Sequence, residues 1–261
     1  MYRMRVPTPS LLCLVLFGAG CDPAPPAPPA CTSMVAVDAG AVGMPVIPLA
    51  IDGVERKLVF DTGWPGLAIF KDRLPDLAAD EREPKERGVW GKVYRMAPLK
   101  PLSYTFAGRA AVHRWPERFP ESMPVFEERG MDGIAGIGAI AYAGSTFTHG
   151  RDGRVCVAGP PCTSAPKLWM DVKVAGAQRS ALVDSGVPWT RALDPSISAE
   201  QMEIPGIPEP VGLAVPQAVE GGPRAGAKVD GRVVEILIGW DVLGTHDWRW
   251  DVCEGRISFA P

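Results

Sequence analysis

An all-β protein built from two similar halves is what this sequence predicts, and three observations predict it. Glycine and proline are both frequent, at 29 and 28 of 261 residues. The 3.6-residue apolar period of amphipathic helices is scarce, so the pattern reads as short strands punctuated by turns. A segment in the first half also recurs in the second without a gap, and a shared glycine landmark follows each copy.

The repeat sets LAIDGVERKLVFDTG (Leu49 to Gly63) over VKVAGAQRSALVDSG (Val172 to Gly186), at an offset of 123 residues. Gly53 falls on Gly176, Arg56 on Arg179, Asp61 on Asp184, Thr62 on Ser185 and Gly63 on Gly186. Apolar positions correspond as well, Leu49 with Val172, Ile51 with Val174, Val59 with Leu182 and Phe60 with Val183. Each copy predicts a strand, a glycine-containing turn, a second strand and a sharp Asp-Thr/Ser-Gly loop. Self-similarity at a fixed spacing is the mark of a duplicated unit.

The landmark downstream is DGIAGIGAIA (Asp132 to Ala141) in the first half and EILIGWDVLG (Glu235 to Gly244) in the second. Each sets two small or apolar residues before a glycine, Gly136 and Gly239. A hairpin-like ending follows each, GRDGRVCV (Gly150 to Val157) and DVCEGRISF (Asp251 to Phe259). The halves join near Ala158 to Pro166. GIGAIA also matches the loose G-x-G-x-x-A dinucleotide fingerprint, but it is expected to lack the preceding strand and the acidic residue that such a site requires.

This order of strand, D[ST]G, long hairpin region, hydrophobic-hydrophobic-Gly, helix and terminal hairpin resembles the retropepsin and pepsin aspartic peptidases, from Met34 to Pro261. The resemblance implies a pseudo-two-fold bilobal acid-protease barrel fold with a few short helices, its lobes spanning 34–158 and 159–261. It implies Asp61 and Asp184 as a catalytic pair, supported by Thr62, Gly63, Ser185 and Gly186, with no cofactor and no metal. Two carboxylates about 3 Å apart cannot both ionise cheaply, so they share a proton. One then acts as base on a bound water while the other polarises the scissile carbonyl. The glycines are expected to supply backbone angles that a side chain forbids. The hydroxyls are expected to bond the opposite loop, as the family's interlocked loops do.

The chain departs from the family after each motif glycine, where Trp64 and Val187 replace the usual Ser, Thr or Ala. A hydroxyl there would lower a carboxylate pKa; without it the expected optimum is roughly pH 5 to 7. Trp64 is also a candidate to fill the cleft. The flap is expected from Gly88 to Met96, with Trp90 and Tyr94 as substrate-facing aromatics. The matching stretch of the second half, Val211 to Val229, is shorter and rich in Gly and Pro.

Export is predicted at the N-terminus. Arg3 and Arg5 precede the apolar run Leu11 to Gly20, which is too short to span a bilayer. Residues 1–20 read as a signal peptide. GAGC, ending at Cys21, resembles the bacterial lipoprotein box, with Cys21 as lipid site and residues 21–33 as anchor and Pro/Ala tether. Cys31, Cys156, Cys162 and Cys253 remain, an even number that suggests two disulfides in an exported chain. Three pairings are possible; because Cys156 and Cys162 bracket a short turn-like loop, that pair with Cys31–Cys253 is the expected one. His113, His149 and His246 are not at zinc-ligand spacing.

Charge narrows the partners. A net charge of −3 with no basic block argues against nucleic-acid binding, which needs a positive stripe. The resemblance and the N-terminal signals together imply a monomeric, membrane-anchored endopeptidase acting on extended peptides. The alternative is a catalytically weak or inactive lipoprotein of the same fold that binds peptides or cell-surface components.

Overall fold

The computed structural model describes residues 28–38, 43–89, 92–214 and 226–260. Within them the protein is mostly β, with short helices only. The signal-peptide run and Cys21 lie outside the described residues, as does Trp90. No described helix is long and apolar enough to cross a membrane.

Each half is organised around one hairpin and one crossing strand. In the first half, strand Gly43–Ile51 turns back into Val54–Asp61 through Asp52 and Gly53, both at positive φ. In the second, Trp169–Val174 turns back into Ala177–Val183 through Ala175 and Gly176, again both at positive φ. Two left-handed residues make the turn whose twist matches the flanking strands, which is why glycine stands at the second position in both. The crossing strand then runs parallel beside the second hairpin strand. Gly133–Gly136 pairs with Val54–Asp61, and Ile236–Ile238 pairs with Ala177–Val183. Because Gly133–Gly136 ends where the helix Ile137–Ala141 begins, GIGAIA does follow a strand, contrary to expectation. That helix is a single short turn, and the strand before it belongs to this crossing.

The two halves meet in a shared five-stranded sheet. The hairpin Thr146–His149 and Arg154–Ala158 closes the first half, and Trp248–Asp251 with Arg256–Phe259 closes the second. Thr146–His149 pairs antiparallel with Trp248–Asp251, joining one hairpin to the other. Ala30–Ser33, which composition placed at the end of the tether, forms the outer strand against Arg154–Ala158. Phe60, at the end of the first-half hairpin, stacks on Phe147 of this sheet at 5.1 Å between ring centres. Phe147 in turn lies 5.4 Å from Trp248. All three rings are buried, so one apolar core runs from the shared sheet to the strands above it.

The disulfides correct the expected pairing: they join Cys31 to Cys156 and Cys162 to Cys253. Strand register decides the first, because Cys31 stands directly opposite Cys156 across the outer ladder. Gly159, at φ 74°, then turns the chain away. The Cys162 amide donates to Ala141 O at 2.8 Å, and its sulfur reaches Cys253 in the turn between the last two strands. Cys156 and Cys162 are close in sequence, but the fold turns them to different neighbours.

Candidate active site

Asp61 and Asp184 end equivalent strands. Leu58, Val59 and Phe60 are buried before Asp61, and Ala181, Leu182 and Val183 before Asp184. Three consecutive buried residues anchor each strand end, which fixes the following loop in position. Each Asp side chain lies against the glycine that follows the other Asp loop, so a carboxyl group from each half comes to one place.

Four further hydrogen bonds lock the loops together in a two-fold pattern. The Thr62 amide donates to Ser185 Oγ at 3.0 Å, and the Ser185 amide donates to Thr62 Oγ1 at 2.9 Å. Thr62 Oγ1 donates to Val183 O, and Ser185 Oγ donates to Phe60 O, each at 2.9 Å. Each hydroxyl thus gives its proton to the opposite strand and accepts the opposite amide, using its full donor capacity. Both residues are buried, at 0% and 1% exposure. Losing either would strand polar groups away from water.

Gly63 and Gly186 have a different role from the one expected. Neither is at positive φ. A Cβ on Gly63 would lie 2.5 Å from Asp184 Oδ2, and one on Gly186 would lie 2.5 Å from Asp61 Oδ2. Each glycine therefore makes room for the opposite carboxyl group, which is the close-approach use of the residue.

The helix starts brace the loops from below. Ile137 and Gly138 donate to Trp64 O and Pro65 O at 3.0 and 3.1 Å. Trp240 and Asp241 donate to Val187 O and Pro188 O at 2.8 and 3.1 Å. One asymmetry sits here. Thr190 Oγ1 donates to Asp241 Oδ1 at 2.7 Å and accepts the Gly239 amide at 2.9 Å, whereas the repeat puts Leu67 at the first-half position.

The electrostatics of the pair follow from this enclosure. Each Asp keeps an opening to solvent while protein packs closely around it. Burial raises the Asp61 pKa well above the usual carboxylate range, and the charge and hydrogen bond of Asp184 raise it further. Burial also raises Asp184, opposed by its interaction with Asp61, by the Lys167 cation, by the Gly186 amide and by Arg191. Backbone amides also bond the pair: Trp64 N–H to Asp61 Oδ1 at 3.1 Å, and Gly186 N–H to Asp184 Oδ1 at 3.0 Å.

Lys167 was not foreseen from sequence. Its Nζ donates to the Gly63 carbonyl beside the carboxyl pair, and its own pKa is lowered by burial. It lies after Pro166 in the joining segment, outside both copies of the repeat, so no motif marks it. Arg191, seven residues after Asp184, carried no signal either.

A cavity of ≈ 400 Å³ adjoins the glycine side of the pair, with Met44, Tyr94, Met123, Phe126, Gly186 and Pro188 among its lining residues. Tyr94 comes from the hairpin Lys85–Val89 with Lys92–Pro98, the segment expected to form a flap. Its ring is 7% exposed and meets Phe119 edge-on at 5.5 Å. Trp64 does not fill the cleft. Its indole is 5% exposed and stacked 5.9 Å from Phe119, in the apolar cluster behind the cavity lining. The apolar side chains of that cluster draw the ring inward. Among the described residues, no group of three or more His, Cys, Asp or Glu is gathered as for a metal ion.

Comparison with known proteins adds no relative: no family model matches the sequence, and no curated protein matches it.

Proposed function

We propose that this protein is an aspartic endopeptidase of the retropepsin and pepsin type. The observation that carries the reading is the facing Asp61–Asp184 carboxyl pair, set on two equivalent loops that interlock through Thr62 and Ser185. A protein that only binds has no chemical need of two facing carboxyl groups, which are unfavourable to bury together. Trp64, the candidate to fill the cleft, packs into the core instead and leaves the cavity open.

The pair supplies both halves of an acid–base mechanism. The two carboxyl groups share one proton, which either can hold. With that proton on Asp61, Asp184 is the base. A water between them gives a proton to Asp184 as its oxygen attacks the peptide carbonyl carbon, and Asp61 protonates the carbonyl oxygen. In the resulting gem-diol, Asp184 passes its proton to the amide nitrogen and the C–N bond breaks. Asp61 takes back the hydroxyl proton as the new carboxylic acid forms. No covalent enzyme intermediate arises.

The substrate class follows from the walls. The lining of Met44, Tyr94, Met123 and Phe126 suits an apolar side chain beside the cut. The hairpin Lys85–Val89 and Lys92–Pro98 offers backbone groups to which an extended peptide could add as a strand. Two disulfides accord with an extracellular location. Lipid attachment at Cys21 is carried by the sequence alone; loss of acyl labelling in Cys21→Ser tests it.

The deciding experiment incubates the purified protein with a diverse peptide library from pH 3 to 8, beside Asp61→Asn and Asp184→Asn. Cleavage by the parent and by neither variant is expected. Absence of cleavage at every pH would favour the peptide-binding lipoprotein instead.

A further inference from the structure

The segment between the halves holds a cation where the carboxyl pair can feel it. Cys162 is tied to Cys253 by a disulfide and to Ala141 O by its amide. Leu168, just past Lys167, accepts the Val183 amide at 2.9 Å, one residue before Asp184. Between these fixed points Pro166 and the Lys167 carbonyl pass over Gly255. A Cβ on that glycine would lie 2.8 Å from Pro166 Cγ and 3.1 Å from Lys167 O. The segment is therefore held at Cys162, over Gly255 and at Leu168, and the Lys167 side chain runs in to the Gly63 carbonyl. Gly63 is the residue whose missing Cβ makes room for Asp184.

We propose that Lys167 is a positioning residue for the Asp61–Asp184 pair: its clamped ammonium fixes a single negative charge on the two carboxyl groups and so sets the pH range in which they can activate water. The inference rests on the peptidase reading for its consequence, although the charge coupling stands apart from it. The ammonium is hydrogen-bonded to the Gly63 carbonyl. It therefore acts as a fixed counter-charge rather than a mobile surface lysine. Its positive charge favours the ionised form of both carboxyl groups, opposing the burial that favours their protonated forms.

The other charges around it are accounted for. Asp61, Asp184 and Asp230 stabilise the ammonium, while Arg87 opposes it. Arg87 is itself paired with Glu117 at 2.8 Å, which blunts its effect. Arg191 acts on Asp184 from the second half. Lys167 is the cation that acts on both members of the pair, so its loss should move both titrations together.

The test follows the Asp61 and Asp184 side-chain carbons by NMR from pH 3 to 9, assigned with Asp61→Asn and Asp184→Asn. Lys167→Met keeps the stem length and removes the charge; Lys167→Arg keeps the charge. The carboxyl midpoints should rise by about one pH unit in Lys167→Met, and both limbs of the peptide-cleavage profile should rise with them. Lys167→Arg should stay near the parent. Unchanged midpoints in a folded Lys167→Met overturn the proposal, even if its melting temperature falls. Should Lys167→Met not fold, the parent alone decides. Its Lys167 Nζ resonance should report the carboxyl midpoints, and a resonance indifferent to them also overturns the proposal. A parent that cleaves no peptide while its midpoints still move in Lys167→Met would sink the peptidase reading and leave the charge coupling intact.

Discussion

Thr62 and Ser185 exchange the same pair of bonds across the join. The amide of each donates to the hydroxyl of the other, at 3.0 and 2.9 Å, and each hydroxyl proton goes to the strand behind its partner. The halves are thus held in register at the point where their carboxyl groups meet, with no water needed to complete the network.

Breaking that exchange should be more costly than losing two ordinary hydrogen bonds. Ser185→Ala leaves the buried Thr62 amide without its acceptor, and a buried unsatisfied group costs about 1 to 3 kcal/mol. Thr62→Val strands the Ser185 amide in the same way. Either change should lower the urea midpoint by an amount equivalent to about 2 kcal/mol. The double variant should lose less than the sum of the two, because the residues share one network. Full additivity in that cycle would mean that the loops are held by something else.

The motif glycines make a separable prediction. A methyl group on Gly63 or Gly186 points at the carboxyl group of the opposite Asp, with an approach of 2.5 Å. An Asp side chain can swing aside, so Gly63→Ala should stay folded with a stability loss of only about 1 kcal/mol. The pair would be pushed apart, and a displacement near 1 Å costs about a hundredfold in turnover. Circular dichroism and peptide cleavage on one sample check both halves. A variant with full activity would show that the carboxyl groups need not sit together.

How much of this the sequence carried differs from residue to residue. The hairpins at Gly53 and Gly176 were legible, because a strand-turn-strand unit is local and its left-handed glycine recurs at a fixed offset. The closeness of Thr62 to Ser185 followed from duplication together with the family resemblance. The disulfide partners were not legible. Cys31 finds Cys156 through strand pairing over a separation of 125 residues, which no loop-length argument captures. Trp64 read as a cleft residue because it follows the motif glycine, but apolar neighbours from distant strands pull it into the core. Lys167 lies in a joining segment without a pattern, and its role exists only once the halves close on it.

Acid–base linkage predicts an unusual stability profile. Burial and the neighbouring charge raise the Asp61 pKa well above its unfolded value of about 3.9. A group raised in the folded state contributes stability that is fully present below the unfolded pKa and is lost as pH rises through the folded value. Stability of the parent should therefore fall as pH rises from about 4 through the raised Asp61 value, where the buried pair loses its last proton. Asp61→Asn removes this loss, so its urea midpoint should decline less over the same range and exceed that of the parent at pH 7. A parent whose stability climbs steadily from pH 4 to 8, with Asp61→Asn following it, would show that the pair is not protonated in the folded state.

The Cys162–Cys253 bridge closes a separation of 91 residues and ties the joining segment to the last hairpin. Constraining so long a loop restricts the unfolded chain, and its removal should cost about 2 to 4 kcal/mol. Cys162→Ser with Cys253→Ser also loosens one end of the clamp on Lys167, so cleavage should fall beyond what thermal stability explains. The Cys31→Ser, Cys156→Ser pair is the internal control. It frees an outer strand far in sequence from Lys167, and should lower stability while leaving the pH profile in place. Non-reducing peptide mapping of the parent comes first, with Cys31–Cys156 and Cys162–Cys253 peptides expected. A Cys156–Cys162 peptide would refute the register of the outer strand, and with it the anchoring of the segment that carries Lys167.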